Sequence, residues 1–120
     1  MKTQKIRLTL LCAVLALLLT PVWSVADSFF CTGTVDDLFV RHDGDVIAKG
    51  SWRGAFTQFC NLEEEWKGVS TSTCFGWYNL LLTIQREGAT AKVRYPDAAG
   101  TCETIETYGD AVRPNYIMMK

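Results

Sequence analysis

Four cysteines in the last three quarters of this 120-residue chain constrain its fold more than any other feature. They are Cys31, Cys60, Cys74 and Cys102. An even number of cysteines in a short chain that leaves the cytoplasm is typical of a disulfide framework. A zinc site needs closer pairs, such as C-x-x-C, or more histidine than the chain contains. We therefore expect two disulfides and no metal, each disulfide stabilising the small domain by about 2–4 kcal/mol.

The N-terminal segment predicts that the chain is exported. Three basic residues precede the apolar run Leu8–Leu19, which is followed by Pro21 and by the small residues of Ser24–Ala26. This order is typical of a cleaved secretory signal peptide. The apolar run is too short to cross a bilayer, which takes roughly 20 residues. We expect residues 1–26 to be removed, leaving residues 27–120 as a single periplasmic or secreted domain without stable membrane insertion.

The charge of the domain limits its partners. All thirteen acidic residues, but only nine of the twelve basic ones, follow residue 26, so the net charge after cleavage is about −4. The basic residues are scattered along the chain rather than clustered. Nucleic acids and anionic membranes both favour clustered lysine and arginine. We therefore expect neither of them as the main partner.

Alternating polar and apolar residues predict a mainly β domain with one helix. The pair Asp43-Gly44 between two apolar runs indicates a tight hairpin turn, and Gly88 is a natural helix stop. Ser70, Ser72 and Thr73, near the start of the helical pattern, are candidate N-caps. The predicted strands are Phe29–Val35, Leu38–His42, a third from Asp45 to Cys60 bent at Gly54, Ala91–Tyr95, Thr101–Tyr108 and a possible terminal strand Asn115–Met119, with a helix over Cys74–Glu87.

This order of elements favours an α+β, mainly β fold, specifically a small five-stranded OB-like barrel with the helix between strands 3 and 4. Other arrangements of a helix on a sheet, including α+β sandwiches, share the order. In an OB barrel the fourth strand runs antiparallel to the first, which brings Cys102 near Cys31. Cys60 ends the third strand and Cys74 opens the helix. The barrel therefore predicts the pairs Cys31–Cys102 and Cys60–Cys74 among three possible connectivities.

Several short motifs carry a resemblance to known proteins. They are Cys31-Thr-Gly-Thr-Val, Phe59-Cys60-Asn61-Leu62, Trp66-Lys-Gly-Val-Ser70 and Pro114-Asn115-Tyr116-Ile117. The chain resembles a group of small exported bacterial proteins without an assigned activity. More distantly, a disulfide-containing exported barrel with an amphipathic helix is similar to the OB-fold B subunits of AB5 toxins, and that resemblance implies pentamers that bind host glycans. No glycan-binding motif of the toxin family matches here residue by residue.

Aromatic and basic residues are the best candidate ligand contacts. Trp52, Arg53 and Trp66 lie on or near the predicted third strand, where an indole face suits the stacking of a sugar ring and arginine suits its hydroxyls. Arg41 and His42 at the predicted hairpin tip are weaker candidates. A tryptophan in a small barrel is also a common core residue, and this alternative stays open for Trp52 and Trp66. We expect a non-enzymatic module whose ligand is a glycan or another protein.

Little in the sequence indicates catalysis or a cofactor. His42 is the only histidine, and the cysteines are expected to be paired, so no nucleophile with its base is evident. Acidic clusters occur at Asp36-Asp37, at Asp43 with Asp45 and at Glu63–Glu65. A second hypothesis is a periplasmic protein-binding or enzyme-inhibitor protein that binds its partner through the loop Asn61–Gly68. The acidic clusters support a small hydrolase as a third hypothesis. The broad apolar face of the helix favours a homo-oligomer or a deeply packed helix.

Overall fold

The computed structural model describes residues 28–96 and 100–120. The predicted signal peptide, residues 1–26, lies outside these ranges, as do residues 97–99 of the predicted turn after the strand Ala91–Tyr95. The described chain forms six strands and one α-helix, with a short 3₁₀ helix, η1, at Cys102–Thr104. The elements are β1 Phe29–Gly33, β2 Val35–Val40, β3 Asp45–Gly50, β4 Phe56–Asn61, α1 Thr71–Glu87, β5 Ala91–Tyr95 and β6 Tyr116–Met119.

The strands form two antiparallel three-stranded sheets, with the orders β1-β5-β6 and β2-β3-β4. The inner faces of both sheets and one side of α1 bury the apolar core, which includes Phe59, Leu81, Ile84 and Tyr95. The hairpin predicted at Asp43-Gly44 is confirmed, since β2 and β3 pair across it and Gly44 has a φ of 92°. The molecule is therefore a small, mainly β, α+β structure.

A single residue, Thr34, separates β1 from β2 and so connects the two sheets. Ser51 holds this joint: its N–H donates to the Thr34 carbonyl oxygen at 3.0 Å, and its hydroxyl accepts from the Thr34 N–H at 2.9 Å. Both polar backbone groups of Thr34 are thus hydrogen-bonded where the chain leaves one sheet for the other.

Ser70, one of the three candidate N-caps, and Gly88, the predicted stop, cap the two ends of the helix α1. The Ser70 hydroxyl accepts from the Thr73 N–H at 3.2 Å, and Gly88 ends the helix in the left-handed conformation, with φ 61°. Cys74, Leu81 and Ile84 are its buried residues, and the helix packs against β2, β4 and β6. The helix starts three residues earlier than predicted because the Ser70 cap satisfies an amide of its first turn.

Both predicted disulfides are present. Cys31 in β1 is bonded to Cys102 in η1, with a Cα–Cα distance of 5.7 Å, and Cys60 at the end of β4 is bonded to Cys74 in the first turn of α1, with a Cα–Cα distance of 5.4 Å. Each pair joins elements that do not share a sheet. Disulfides indicate a non-reducing compartment.

The predicted five-stranded OB-like barrel is wrong. Six strands form because the predicted third strand is divided into β3 and β4, the terminal strand is present as β6, and Thr101–Tyr108 forms no strand. These strands form two separate sheets, and the first predicted strand ends at Thr34, where the chain passes from one sheet to the other. The predicted strand Thr101–Tyr108 contains η1 instead, where the Thr101 and Thr104 side chains hydrogen-bond to each other and to the local backbone. Only Tyr108 of this segment pairs with a strand, through an isolated parallel bridge to Thr57.

The long predicted third strand is also interrupted. Residues 51–53 form a turn between β3 and β4, in which the N–H groups of Arg53 and Gly54 both donate to the Gly50 carbonyl oxygen. Gly54 takes a φ of 69°, which glycine adopts at little cost. Within residues 28–96 and 100–120, no helix combines the length and apolar character needed to cross a bilayer.

Candidate functional site

Trp52 and Arg53 both lie in the β3–β4 turn and both make contacts within the protein. Trp52 is only 9 % exposed, and its indole lies against Gly50 and close to Gly33. The half-buried Arg53 donates from Nε to the Ile105 carbonyl oxygen at 2.8 Å. The indole faces of Trp52 are therefore covered by protein, and Arg53 fastens the turn to the segment after η1.

Trp66 lies in a second turn and is half-buried. Its backbone pairs with Val69 across Lys67-Gly68, whose φ angles of 47° and 84° are both positive, as in a type I′ hairpin turn. The Lys67 ammonium lies 4.8 Å from the Trp66 ring centroid and donates to the Ala111 carbonyl oxygen at 2.6 Å. One face of this indole is thus occupied by a cation that is itself anchored.

Arg41 and His42 are exposed at the β2–β3 turn. The Arg41 guanidinium lies 3.9 Å from the Asp43 carboxylate and 3.8 Å from that of Asp45, so its charge is balanced locally. The five predicted contacts therefore lie in three different turns.

The most distinctive exposed surface is a row of three aromatic side chains on the outer face of the β2-β3-β4 sheet. Phe39, Phe56 and Tyr108 form this aromatic row, with ring centroids 5.6 Å apart for the first pair and 6.0 Å apart for the second. Phe39 is 38 % exposed and Tyr108 is 45 % exposed, while Phe56 between them is half-buried. Side chains alternate between the two faces of a strand, so Phe39 shares the outer face with Asp37 and Arg41. The row offers a contiguous aromatic surface to solvent.

Tyr108 reaches the row through an unusual backbone conformation. Its φ is 49°, in the left-handed region that a tyrosine seldom occupies. Two hydrogen bonds to β4 hold it there: its N–H donates to the Phe56 carbonyl oxygen at 2.8 Å, and its carbonyl oxygen accepts from the Gln58 N–H at 3.1 Å. Strain of about 1–2 kcal/mol is expected for such a residue. Backbone strain of this kind concentrates at functional sites.

Buried polar side chains lie beside the row on the same sheet face. Gln58 and Asn61 are each only 3 % exposed. Both side-chain amides donate to one carboxylate oxygen of Asp45, at 2.7 and 2.8 Å. Arg41 approaches the other oxygen of the same carboxylate. These hydrogen bonds hold the polar side chains beside the aromatic row in place without a ligand.

The cation nearest the row is already paired. Lys49 Nζ lies 2.7 Å from Asp37 Oδ2 and 5.3 Å from the centroid of the Phe56 ring. Its hydrogen bond to Asp37, together with the charge of that carboxylate, raises the pKa of Lys49 above its ordinary value. Lys49 therefore stays protonated beside Phe56 at any physiological pH, with its charge offset by Asp37.

All residues of the acidic clusters except the half-buried Asp45 are exposed. In the loop after β4, the Asn61 Oδ1 atom accepts from the N–H groups of Glu63 and Glu64, at 2.7 and 3.0 Å, so the exposed residues Glu63–Glu65 are held by a side chain of the sheet. Asp45 is committed to the amide network. The described residues contain no group of three histidine, cysteine or acidic side chains arranged to hold a metal ion.

Sequence reasoning singled out aromatic residues but missed Phe39 and Tyr108 as contacts. Phe39 lies two residues from the polar Asp37 and two residues from the polar Arg41, and side chains two residues apart in a strand share a face. This alternation was the available signal that the Phe39 ring faces outward. No comparable signal exists for Tyr108, because its position depends on the bridge to Thr57, about fifty residues away.

No protein family, curated protein or solved structure matches this chain. The resemblances to the small exported bacterial proteins and to the toxin B subunits therefore stay predictions.

Proposed function

We propose that this protein is an exported, non-enzymatic binding module whose ligand is a neutral glycan held on the aromatic row. The N-terminal signal pattern and the two disulfides support export to the periplasm or beyond. The observation that carries the ligand proposal is Tyr108: the residue is 45 % exposed, and a left-handed backbone holds its ring beside that of Phe56.

Aromatic rings and polar groups together suit a sugar. A sugar ring has apolar C–H faces that stack on aromatic side chains and a rim of hydroxyl groups that need hydrogen-bond partners. Phe39 and Tyr108 supply the stacking surfaces. Arg41 and Asp45 supply polar atoms on one side of the row, and the Asp37–Lys49 pair supplies them beside Phe56.

The charges along the row favour a neutral ligand. Lys49 is hydrogen-bonded to Asp37, and Arg41 lies between Asp43 and Asp45. An anionic sugar would approach three carboxylates here as well as two cations, which removes its electrostatic advantage.

Binding to an array of neutral oligosaccharides tests the proposal, using wild-type protein and the variants Phe39→Ala and Tyr108→Asn. Each change should weaken binding by about tenfold, which corresponds to about 1.4 kcal/mol. Asparagine tolerates a positive φ better than tyrosine, so Tyr108→Asn should retain or raise the melting temperature while losing affinity.

Phe75→Ala is the matched control, since Phe75 is a 62 % exposed aromatic residue on α1. It should bind glycans like the wild type. Failure of the wild type to bind any neutral glycan, or an equal loss of affinity in the Phe75 variant, contradicts the proposal.

A second candidate function is inhibition or binding of another protein through the loop Asn61–Gly68. The observation in its favour is that Asn61 preorganises three exposed carboxylates by accepting from two amides of the loop, and a preorganised loop loses less entropy on binding. In this case an Asn61→Ala change should weaken capture of the partner, whereas Phe39→Ala should leave it intact.

A further inference from the structure

The outer face of the other sheet, β1-β5-β6, has a chemistry opposite to that of the aromatic row. Phe30, Arg94 and Tyr116 face each other across the three strands, and so do Thr32, Lys92 and Met118 in the adjacent position. The neighbours of these residues along the strands, including Cys31, Val93 and Ile117, are buried in the core. These six outward residues form the cationic face, and none of them is acidic.

The two cations of this face lie across aromatic rings. Lys92 Nζ is 4.2 Å from the centroid of the Phe30 ring. The guanidinium carbon of Arg94 is 5.9 Å from the Phe30 centroid and 5.7 Å from that of Tyr116. The rings of Phe30 and Tyr116 are 6.2 Å apart and steeply inclined to each other. Cations and rings thus make one continuous surface.

No carboxylate of the described residues lies within 4.0 Å of either charge, in contrast to Lys49 and Arg41 on the aromatic row. Arg94 instead donates from Nε and Nη2 to the Ser28 hydroxyl, at 2.9 and 2.6 Å. This anchoring uses the Nε–Nη2 edge of the guanidinium, and within the described residues Nη1 makes no side-chain hydrogen bond, which leaves the Nη1–Nη2 edge for a ligand. That edge matches the two oxygens of a carboxylate.

We propose that the cationic face binds a second ligand, an anionic polysaccharide chain that carries carboxylates. Arg94 takes one carboxylate in a bidentate pair, and Lys92 takes a neighbouring one about two residue steps along β5, roughly 7 Å away. Phe30, which is 41 % exposed, and the half-buried Tyr116 offer their remaining open edges to C–H groups of the sugars between the charges. This proposal stands on a different sheet from the aromatic row and does not depend on it.

The cover over the Phe30 ring favours a polymer over a membrane. Phe30 is 41 % exposed, but Lys92 and Arg94 lie over its ring, so it does not project alone from the surface. Binding to a bilayer interface favours apolar side chains that enter the lipid while the lysines extend toward the headgroups.

The test measures binding of the oxidised protein, isolated from the cells that make it, to oligogalacturonate by calorimetry. The methyl ester of the same oligomer is the ligand control, because it keeps the sugars and removes the charges. We expect binding of the acid but not of the ester, weakened as salt rises from roughly 0.05 to 0.5 M because the contact is electrostatic.

Arg94→Lys and Lys92→Ala should each weaken binding of the acid by about tenfold. The lysine variant of Arg94 retains the charge but loses the bidentate edge, so its effect isolates geometry from net charge. Arg86→Ala is the matched control: Arg86 is an exposed cation near the end of α1, and its loss changes the net charge equally. Lys92 makes no contact that stabilises the fold as the Arg94–Ser28 pair does. Lys92→Ala should therefore fold, and its affinity for the acid tests the proposal even if Arg94→Lys unfolds.

An equal effect of Arg86→Ala would overturn the proposal, because net charge alone would then explain the binding. So would absence of binding to the acid, or tighter binding to a glutamate-rich peptide. Tighter binding to vesicles of phosphatidylglycerol and phosphatidylcholine in equal parts would overturn it in favour of a membrane surface.

Discussion

The indole of Trp52 lies directly on the α-carbon of Gly50, two residues before it in the chain. A β-carbon built on Gly50 would overlap three carbons of the indole ring. Trp52 is 9 % exposed and belongs to the core, so the ring has little room to move away. The absence of a side chain at position 50 is therefore what allows this tryptophan to close the end of the β3 strand.

The substitution Gly50→Ala should destabilise the protein by about 1–3 kcal/mol, because adding a methyl group to a packed core forces neighbours out of position. Gly50 does not have a positive φ, so the effect is one of packing alone. Chemical denaturation of the oxidised protein measures it. A variant as stable as the wild type would show that the indole shifts freely, contrary to this packing.

Gly76→Ala should have the opposite effect. Gly76 lies within α1, is exposed, and has no atom within 4 Å of an added β-carbon. Alanine there should raise the free energy of unfolding by about 0.5–1 kcal/mol, because it restricts the unfolded chain and favours the helix. The same denaturation experiment provides the measurement, and a loss of stability would indicate that this helix face is covered by something other than solvent.

Removal of the two disulfides should have unequal effects. The Cys31–Cys102 bridge spans 71 residues of sequence and the Cys60–Cys74 bridge spans 14. In the chain-entropy account, their loss costs about 4.4 and about 3 kcal/mol, respectively. Double serine variants of each pair, compared by urea denaturation, test the order. The reverse order would mean that effects within the folded state outweigh the loop length.

Tyr95 should make stability fall at high pH. It is 1 % exposed, and burial raises its pKa above the ordinary value of 10.0, while a hydrogen bond with the Thr57 side chain opposes the shift in part. Above about pH 10 the unfolded chain releases the phenol proton and the folded protein keeps it. The folded state then binds more protons, so the free energy of unfolding decreases as pH rises.

Comparison with Tyr95→Phe isolates this contribution from the other groups that titrate in the same range. Between about pH 9 and about pH 11 the wild type should lose roughly 1.4 kcal/mol more than the variant, the value of one pKa unit. Parallel pH profiles for the two proteins would show that the Tyr95 phenol does not contribute.

The sequence was sufficient to predict the features that depend on local spacing. The helix α1 follows from its apolar stripe between Ser70 and Gly88, and the β2–β3 hairpin follows from Asp43-Gly44. The disulfide pairing followed from the order of the strands and the helix along the chain. That order is as predicted around the four cysteines, although the strands form two sheets instead of a barrel. Each of these predictions needs only the sequence of one helix or turn, or the order of helices and strands along the chain.

The remaining features depend on contacts between distant residues, which no local pattern encodes. The break at Thr34 is held by Ser51, seventeen residues later, and the place of Tyr108 depends on its bridge to β4. The sequence left both a core role and a contact role open for Trp52, because the space over Gly33 and Gly50 that receives its ring exists only after the strands assemble. For the same reason, sequence alone did not reveal the aromatic row or the cationic face.

The one-residue joint at Thr34 has a consequence for how the molecule comes apart. Because β1 and β2 are almost continuous, and Ser51 of the β3–β4 turn is hydrogen-bonded to both backbone groups of Thr34, the edge of one sheet cannot open without pulling on the other. The two sheets therefore should not unfold independently, as separate subdomains would. Hydrogen exchange from the central strands β3 and β5 should therefore report one shared cooperative opening.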